Sequence, residues 1–147
     1  MDLAPFADVV EAPIDHAAVL ARVADDGNGA ETLFVGVVRN LHQGKRVVGI
    51  TYDCFRPLAR KVLAEIAAEA VERWPGVRAA VVHRVGRLEV GEASVVIAIG
   101  SAHRAASYEA SRHVIEEIKV RAPIWKQEHY EHGSSEWPDG QDLKARR

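Results

Sequence analysis

The stretch Ser101 to Glu128, SAHRAASYEASRHVIEEIKVRAPIWKQE, decides how this chain is read. Ala105, Ala106, Ala110, Glu116, Glu117 and Lys119 are good helix formers, and Ser101 is placed to cap the N-terminus of one long helix. Tyr108, Ser111, Ile115 and Ile118 recur at three- and four-residue steps, which gives that helix a face to turn toward a core. Pro123 ends it, because proline lacks an N–H and biases Ala122 away from helical geometry. Ile124-Trp125 then suits a short strand.

The cations of this stretch set it apart. His103 and Arg104 stand at the helix start, where the dipole favours anions. Lys119 follows Ile118 beside the apolar stripe, and Lys126 follows Trp125. One such lysine alone is ordinarily a solvated or snorkelling side chain. Four cationic or cationisable groups around one helix and its exit point instead to a local site for an anion.

Outward from this helix, strands and helices mix. Phe6 to Ile14 reads as a first strand, and Asp15 as the cap of a short helix through Val23. Asp25 to Gly29 is a turn by composition. Ala30 to Val38 (AETLFVGVV) reads as a buried strand, with Gly36 permitting close backbone approach. Arg39 to Arg46 reads as a polar loop, and Val47 to Asp53 as a second strand. Pro57 fits the first turn of a helix running to Trp74, with Leu58, Val62, Ile66 and Ala70 on its core face, and Pro75-Gly76 ends it. Val77 to Val85 and Ala93 to Gly100 form two further strands around a turn-rich Gly86 to Gly91. From His132 onward the chain is polar and aperiodic, a tail that Trp137 pins. Without a strict βαβ rhythm the class is α+β with a mostly antiparallel sheet, in one domain over residues 1–131 followed by the tail 132–147.

Composition narrows the function. A length of 147 residues supplies a single core, and a formal net charge of −2 argues against a general nucleic-acid or acidic-membrane binder. Cys54, the one cysteine, excludes an internal disulfide and a cysteine-rich zinc site. The N-terminus has no apolar run of signal-peptide length and no segment approaches a membrane span, so a cytoplasmic enzyme or binding module is expected. Gly86 to Gly91 lacks the spacing of a phosphate loop. His129 and His132 fall in strand and loop, without the further ligands that zinc requires. His83-Arg84 ends a strand, and His16, His42 and His113 read as solvated or packed side chains. No histidine motif marks Cys54 as a nucleophile, and Ser101, Ser107 and Ser111 have no elbow around them.

The residues therefore describe a cationic pocket with neither nucleophile nor metal, suited to an anionic, phosphorylated substrate. The attacking group then has to come from a second molecule. Two other readings stay open on the residues alone: a non-catalytic module that binds an anion or an acidic peptide tail, and a phosphoester hydrolase using His103 as base.

Phe34-Val35-Gly36-Val37-Val38-Arg39, Tyr52-Asp53 with Pro57-Leu58-Ala59, His83-Arg84-Val85-Gly86, Ser101-Ala102-His103-Arg104, and Lys119 with Pro123 to Glu128 together resemble the catalytic, large subunit of molybdopterin synthase. The resemblance runs in order over about residues 30 to 130. The chain departs from the family pattern at Asp53, Leu58 and Tyr108, where Glu, Met and Phe are usual, and at Gln127, where a second lysine is usual.

The resemblance implies an α/β hammerhead-type α+β fold, a homodimer, and a small ubiquitin-like sulfur carrier as partner, two carriers completing a heterotetramer. It implies no cofactor and no metal. The carrier's C-terminal thiocarboxylate donates sulfur twice to cyclic pyranopterin monophosphate, giving the dithiolene of molybdopterin. Carried over residue by residue, the substrate contacts fall on Val37, Val38, Arg39, His103, Arg104, Lys119, Lys126, Gln127 and Glu128, with Lys119 and Lys126 catalytic. A lysine among Arg39, Arg104 and Lys126 has its pKa depressed by like charge. Arg104 and Lys119 are fifteen residues apart, about 22 Å along a helix. Each site is thus expected to combine Arg39, Lys119 and Lys126 of one chain with His103 and Arg104 of the other.

Overall fold

The computed structural model describes residues 4–132. They form β1 (Phe6–Val10), α1 (His16–Ala21), β2 (Ala30–Val37), β3 (Leu41–His42), β4 (Lys45–Cys54), α2 (Arg56–Arg73), β5 (Arg78–Arg84), β6 (Gly86–Glu89), β7 (Ala93–Ser101), α3 (Arg104–Arg121) and β8 (Ile124–Tyr130). The tail from residue 133 on, with Trp137, lies outside the described residues.

The first sheet has the order β1-β5-β7-β2, with β1 parallel to β5 and the other neighbours antiparallel. Its central strands are apolar on both faces, and alternation sends the two sets of side chains to two cores. Ala79 and Val81 of β5 and Val95, Ile97 and Ile99 of β7 meet α2 and α3; Ala80, Val82, Val96 and Ala98 meet Val19 and Val23 around α1. The second sheet is smaller: β4 pairs antiparallel with β6 on one side and with β8 on the other, and its start forms a hairpin with β3. Val38, Val47, Ile50 and Leu88 are its core. The class is the expected α+β, with β1–β5 as its one parallel pair among the described strands.

Several elements differ from the sequence reading, each for a physical reason. Ser101 does not cap α3; the N-cap is His103, and Ser101 instead donates a hydrogen bond to the His103 carbonyl at 2.6 Å. The buried face of α3 is Ser107, Ala110, Val114 and Ile118, while Tyr108 is 65% exposed. On α2, Ile66 and Ala70 are buried as expected, together with Ala59, Leu63 and Ala67, but Leu58 is exposed. Ala59 and Ser107 take the places against the sheet at the helix starts, so Leu58 and Tyr108 beside them end up at the rim.

The strand β2 is not buried but an edge, leaving Leu33, Phe34 and Val37 exposed. The 39–46 segment is a hairpin rather than a loop, turning at Gln43 (φ 50°) and Gly44 (φ 79°), the left-handed pair that tight hairpins require. Gly86 to Gly91 contains β6, held because Leu88 packs opposite Ile50. The first strand stops at Val10. The helix stop at Pro123 is as expected: Ala122 is extended (ψ 127°), and the chain enters β8.

Candidate active site

The two sheets meet at the joint between β2 and β3, under the last turns of α3. A register shift between Gly36 and Val37 breaks the regular pairing of β2 with β7 just before its last pair, Val37 with Ala93, and a Cβ on Gly36 would lie only 2.9 Å from Val95 Cγ1. The joint carries Arg39 into a cavity of about 150 Å³. Phe34, Gly36 and Val37 form one wall and Ser94 and Val95 of β7 lie beside them. Ile115 and Lys119 come from α3, Leu41 and His42 from the hairpin. Ile50 and Tyr52 of β4 and Lys126 and Glu128 of β8 complete it.

Strand alternation explains the last four. Tyr52 lies opposite Lys126 and Ile50 opposite Glu128, so all four side chains share the cavity face. Gln127, opposite Thr51, is on the other face and does not line the cavity.

The site is cationic in detail. Lys119 keeps part of its side chain exposed while lining the cavity, and its pKa is lowered. Desolvation around the ammonium is the first cause, the Lys126 charge the second and Arg39 the third. Arg104 takes no part within one chain.

The one acid of the cavity is Glu128, only 2% exposed, which accepts from Tyr130 Oη at 2.9 Å and lies 3.7 Å from His42 Nε2. Burial raises the pKa of Tyr52; a hydrogen bond with Ser94 opposes that rise and the Glu128 charge adds to it. Ser94 Oγ in turn donates to the Gly36 carbonyl at 3.2 Å. At neutral pH the floor therefore holds a neutral phenol next to the buried Glu128 side chain.

Of the residues expected to touch substrate, the structure brings Val37, Arg39, Lys119, Lys126 and Glu128 together. Val38 is not among them: its side chain is 3% exposed in the core of the second sheet, its N–H donates to Glu92 O and its carbonyl accepts from Gly91. His103 and Arg104 are exposed at the opposite end of α3, where His103 borders a separate depression with Asn28 and Gly76. His42, read from sequence as solvated or packed, sits in the cavity. Tyr52 was legible only as a motif position, and Ser94 carried no signal. Among the described residues no three of His, Cys, Asp and Glu gather as a metal site would, and no helix is long and apolar enough to cross a membrane.

A family model described as MoaE protein matches residues 9–121. The chain belongs to the MoaE family. Among its MoaE-family relatives, a molybdopterin synthase catalytic subunit from Halalkalibacterium halodurans is 47% identical over 125 residues, covering 85% of this chain and 80% of the relative. The crystal structure of molybdopterin synthase from Staphylococcus aureus superposes with a TM-score of 0.85 at 37% identity, over 89% of this chain and 95% of the other. A Helicobacter pylori chain, solved in a complex of subunits 1 and 2 of molybdopterin-converting factor, shares the MoaE fold at a TM-score of 0.71 and 22% identity, over 89% of this chain and 88% of that one.

Proposed function

We infer that this chain is the catalytic subunit of a molybdopterin synthase: a sulfurtransferase that moves sulfur from the thiocarboxylated C-terminus of a small carrier subunit to cyclic pyranopterin monophosphate. The observation that carries the reading is the convergence of Arg39, Lys119 and Lys126 on a cavity whose one serine, Ser94, is committed to the Gly36 carbonyl. Such a site grips anions and handles protons, and the sulfur arrives on the partner's tail.

Lys119, with its pKa lowered, exchanges a proton with the reacting centre; Lys126 polarises the oxygen that gains charge; Arg39 holds the anionic end of the substrate. Glu128 fits an orienting role within the floor, since it is already bonded to Tyr130. Gln127 and Val38 contribute no side chain to substrate.

The site is completed by a second copy. One chain encloses about 150 Å³, below the ~300–1,000 Å³ of a pocket that buries a substrate of this size. His103 and Arg104 stand at the far end of α3. The edge strand β2 leaves Leu33, Phe34 and Val37 exposed beside Tyr108 of the adjoining α3, an apolar surface suited to a homodimer. Two carriers then make a heterotetramer, as a complex of two subunits exists for the Helicobacter pylori protein. We place the catalytic domain at residues 1–131, the polar tail at 132–147, and the reaction in the cytoplasm.

The test is incubation of the purified chain with the pyranopterin precursor, with and without thiocarboxylated carrier. Dithiolene product appears with the carrier alone. Turnover without it would favour a hydrolase, and tight binding without product in either case a peptide-tail or anion-binding module.

A further inference from the structure

His103 is the N-cap of α3, but its side chain makes no capping hydrogen bond. What fixes this cationic segment lies behind it. Ser101 and Ser107 are 2% and 0% exposed, and their hydroxyl oxygens are 2.6 Å apart. Ser101 Oγ also donates to the His103 carbonyl at 2.6 Å. A serine hydroxyl has one proton to give. With the Ser101 proton on His103 O, the contact between the two serines is made by Ser107 donating.

The chain thus runs one way, from Ser107 O–H to Ser101 Oγ and from Ser101 O–H to the carbonyl of the peptide that joins His103 to Arg104. Ser107 is itself tied to β2 through its backbone, since Thr32 Oγ1 donates to its carbonyl at 3.4 Å. The backbone is clamped on the same side. Gly29 N–H donates to Ala102 O at 3.2 Å, and a Cβ on Gly29 would approach that oxygen to 2.7 Å. A Cβ on Gly100 would lie 2.5 Å from Val23 O. No ordinary cap has this form, since the serine stands two residues before the N-cap and donates rather than accepts.

We propose that the buried Ser107–Ser101 hydroxyl chain is a positioning device for the substrate's anionic end, with Ser101 the positioning residue: it sets the orientation of the His103–Arg104 peptide that one chain presents to its partner's cavity. This rests on the two-chain reading of the site given above. The bland counterpart is a pair of serines that satisfy each other and hold the fold, and the two differ in where the damage falls when one is removed.

The experiment measures turnover of the pyranopterin monophosphate by the complete synthase with its carrier. Ser101→Ala raises KM for the phosphorylated substrate about tenfold and leaves kcat within about threefold, because grip is lost while the Lys119 end is intact. Ser107→Ala, which leaves the Ser101–His103 bond in place, raises KM about threefold. A dimer tagged differently on its two chains, one Ser101→Ala and the other Lys119→Ala, keeps one site that combines an intact Lys119 with an intact His103–Arg104. That dimer has the wild-type KM and about half the wild-type kcat.

An unchanged KM in the Ser101→Ala homodimer overturns the proposal, and so does a raised KM in the mixed dimer, which would mean that the whole variant chain is damaged. Should Ser101→Ala fail to fold, Ser107→Ala takes its place under the same two criteria. A control dimer pairing Lys119→Ala with His103→Ala separates the two levels. Its failure to recover activity overturns the two-chain reading, and the hydroxyl chain then stands or falls on the KM of the Ser101→Ala homodimer.

Discussion

Lys119 and Arg121 stand two residues apart on the last turn of α3, where the helix dipole favours both cations, and their surroundings are opposite. Arg121 grips Glu69 through two bonds, Nη1 to Oε1 at 2.6 Å and Nη2 to Oε2 at 2.8 Å, and reaches Glu117 at 3.1 Å. These carboxylates raise its pKa above the ordinary arginine value, and Arg121 in turn lowers that of Glu69. Lys119 faces Lys126 and Arg39 from a desolvated position, and its pKa falls. One helix end thus carries a cation matched with acids for holding α2 to α3, and a cation gathered with its own kind, the one proposed to act on substrate. Concentrated like charge is the more informative of the two, because folding alone gives no reason to assemble it.

The sharpest way to break this contrast is to truncate both residues. Lys119→Ala lowers kcat about 10³-fold while the chain stays folded, the range expected for loss of a positioned proton-transfer group. Arg121→Ala leaves kcat within about twofold and lowers stability by about 0.5–1 kcal/mol, the scale of a largely exposed ion pair. Single-turnover assays and chemical denaturation of the two variants check this. Equal losses of activity would show that the last turn acts as a unit and that the two faces are not separate.

Next in size are the neighbours of Lys119. Lys126→Gln lowers activity about 10²-fold and moves the inflection of the pH–rate profile assigned to Lys119 toward higher pH. Arg39→Gln moves it the same way by less, since Lys126 is the stronger of the two electrostatic causes. The direction holds whether Lys119 gives or takes the proton, because removal of a nearby cation favours its charged form. An inflection that stays in place in both variants would assign the titration to another group.

Gln127 sharpens the comparison from the other side. It adjoins Lys126 in sequence but lies opposite Thr51 on the far face of β8, so Gln127→Ala leaves kcat and KM within about twofold where Lys126→Ala does not. A steady-state assay of the two variants decides it.

The pair also shows what the sequence could reveal. The strand entering from Pro123 was legible, and alternation along it separates Lys126 and Glu128 from Gln127 once one member is placed. Ile66, Ala70 and Ile118 were read correctly, but the first turns of both faces were misread by one position, because Ala59, Ser107 and Ala110 do the packing there while Leu58 and Tyr108, larger and more conspicuous, stay outside. Ser94 was invisible: a lone serine in an apolar strand gains meaning only when β7 brings it beside Tyr52 and Gly36. The exposure of β2 was equally hidden, since AETLFVGVV has the composition of a buried strand and only the strand order makes it an edge.

The smallest expected effect concerns stability. The folded-state pKa of Lys119 lies below its ordinary value of 10.5. Between the two values the unfolded chain binds more protons than the folded one, so stability rises with pH across that window. Below the folded-state pKa the penalty for holding a charged ammonium beside Lys126 and Arg39 is fully present. Lys119→Met keeps the apolar stem and removes the charge, so its thermal midpoint at pH 7 rises by about 1–2 °C, a gain limited by the exposure of the side chain. The gain shrinks as the pH approaches 10.5, because the wild-type amine is by then neutral as well. Arg121→Met shows the reverse at pH 7, a fall of about 2 °C from the loss of its two carboxylate partners. Melting curves at pH 7 and pH 10 for both variants therefore report the sign of each environment without reference to catalysis. A Lys119→Met chain that melts lower at both pH values would mean that its charge supports the fold, and the division between a holding cation and a reacting one would be lost.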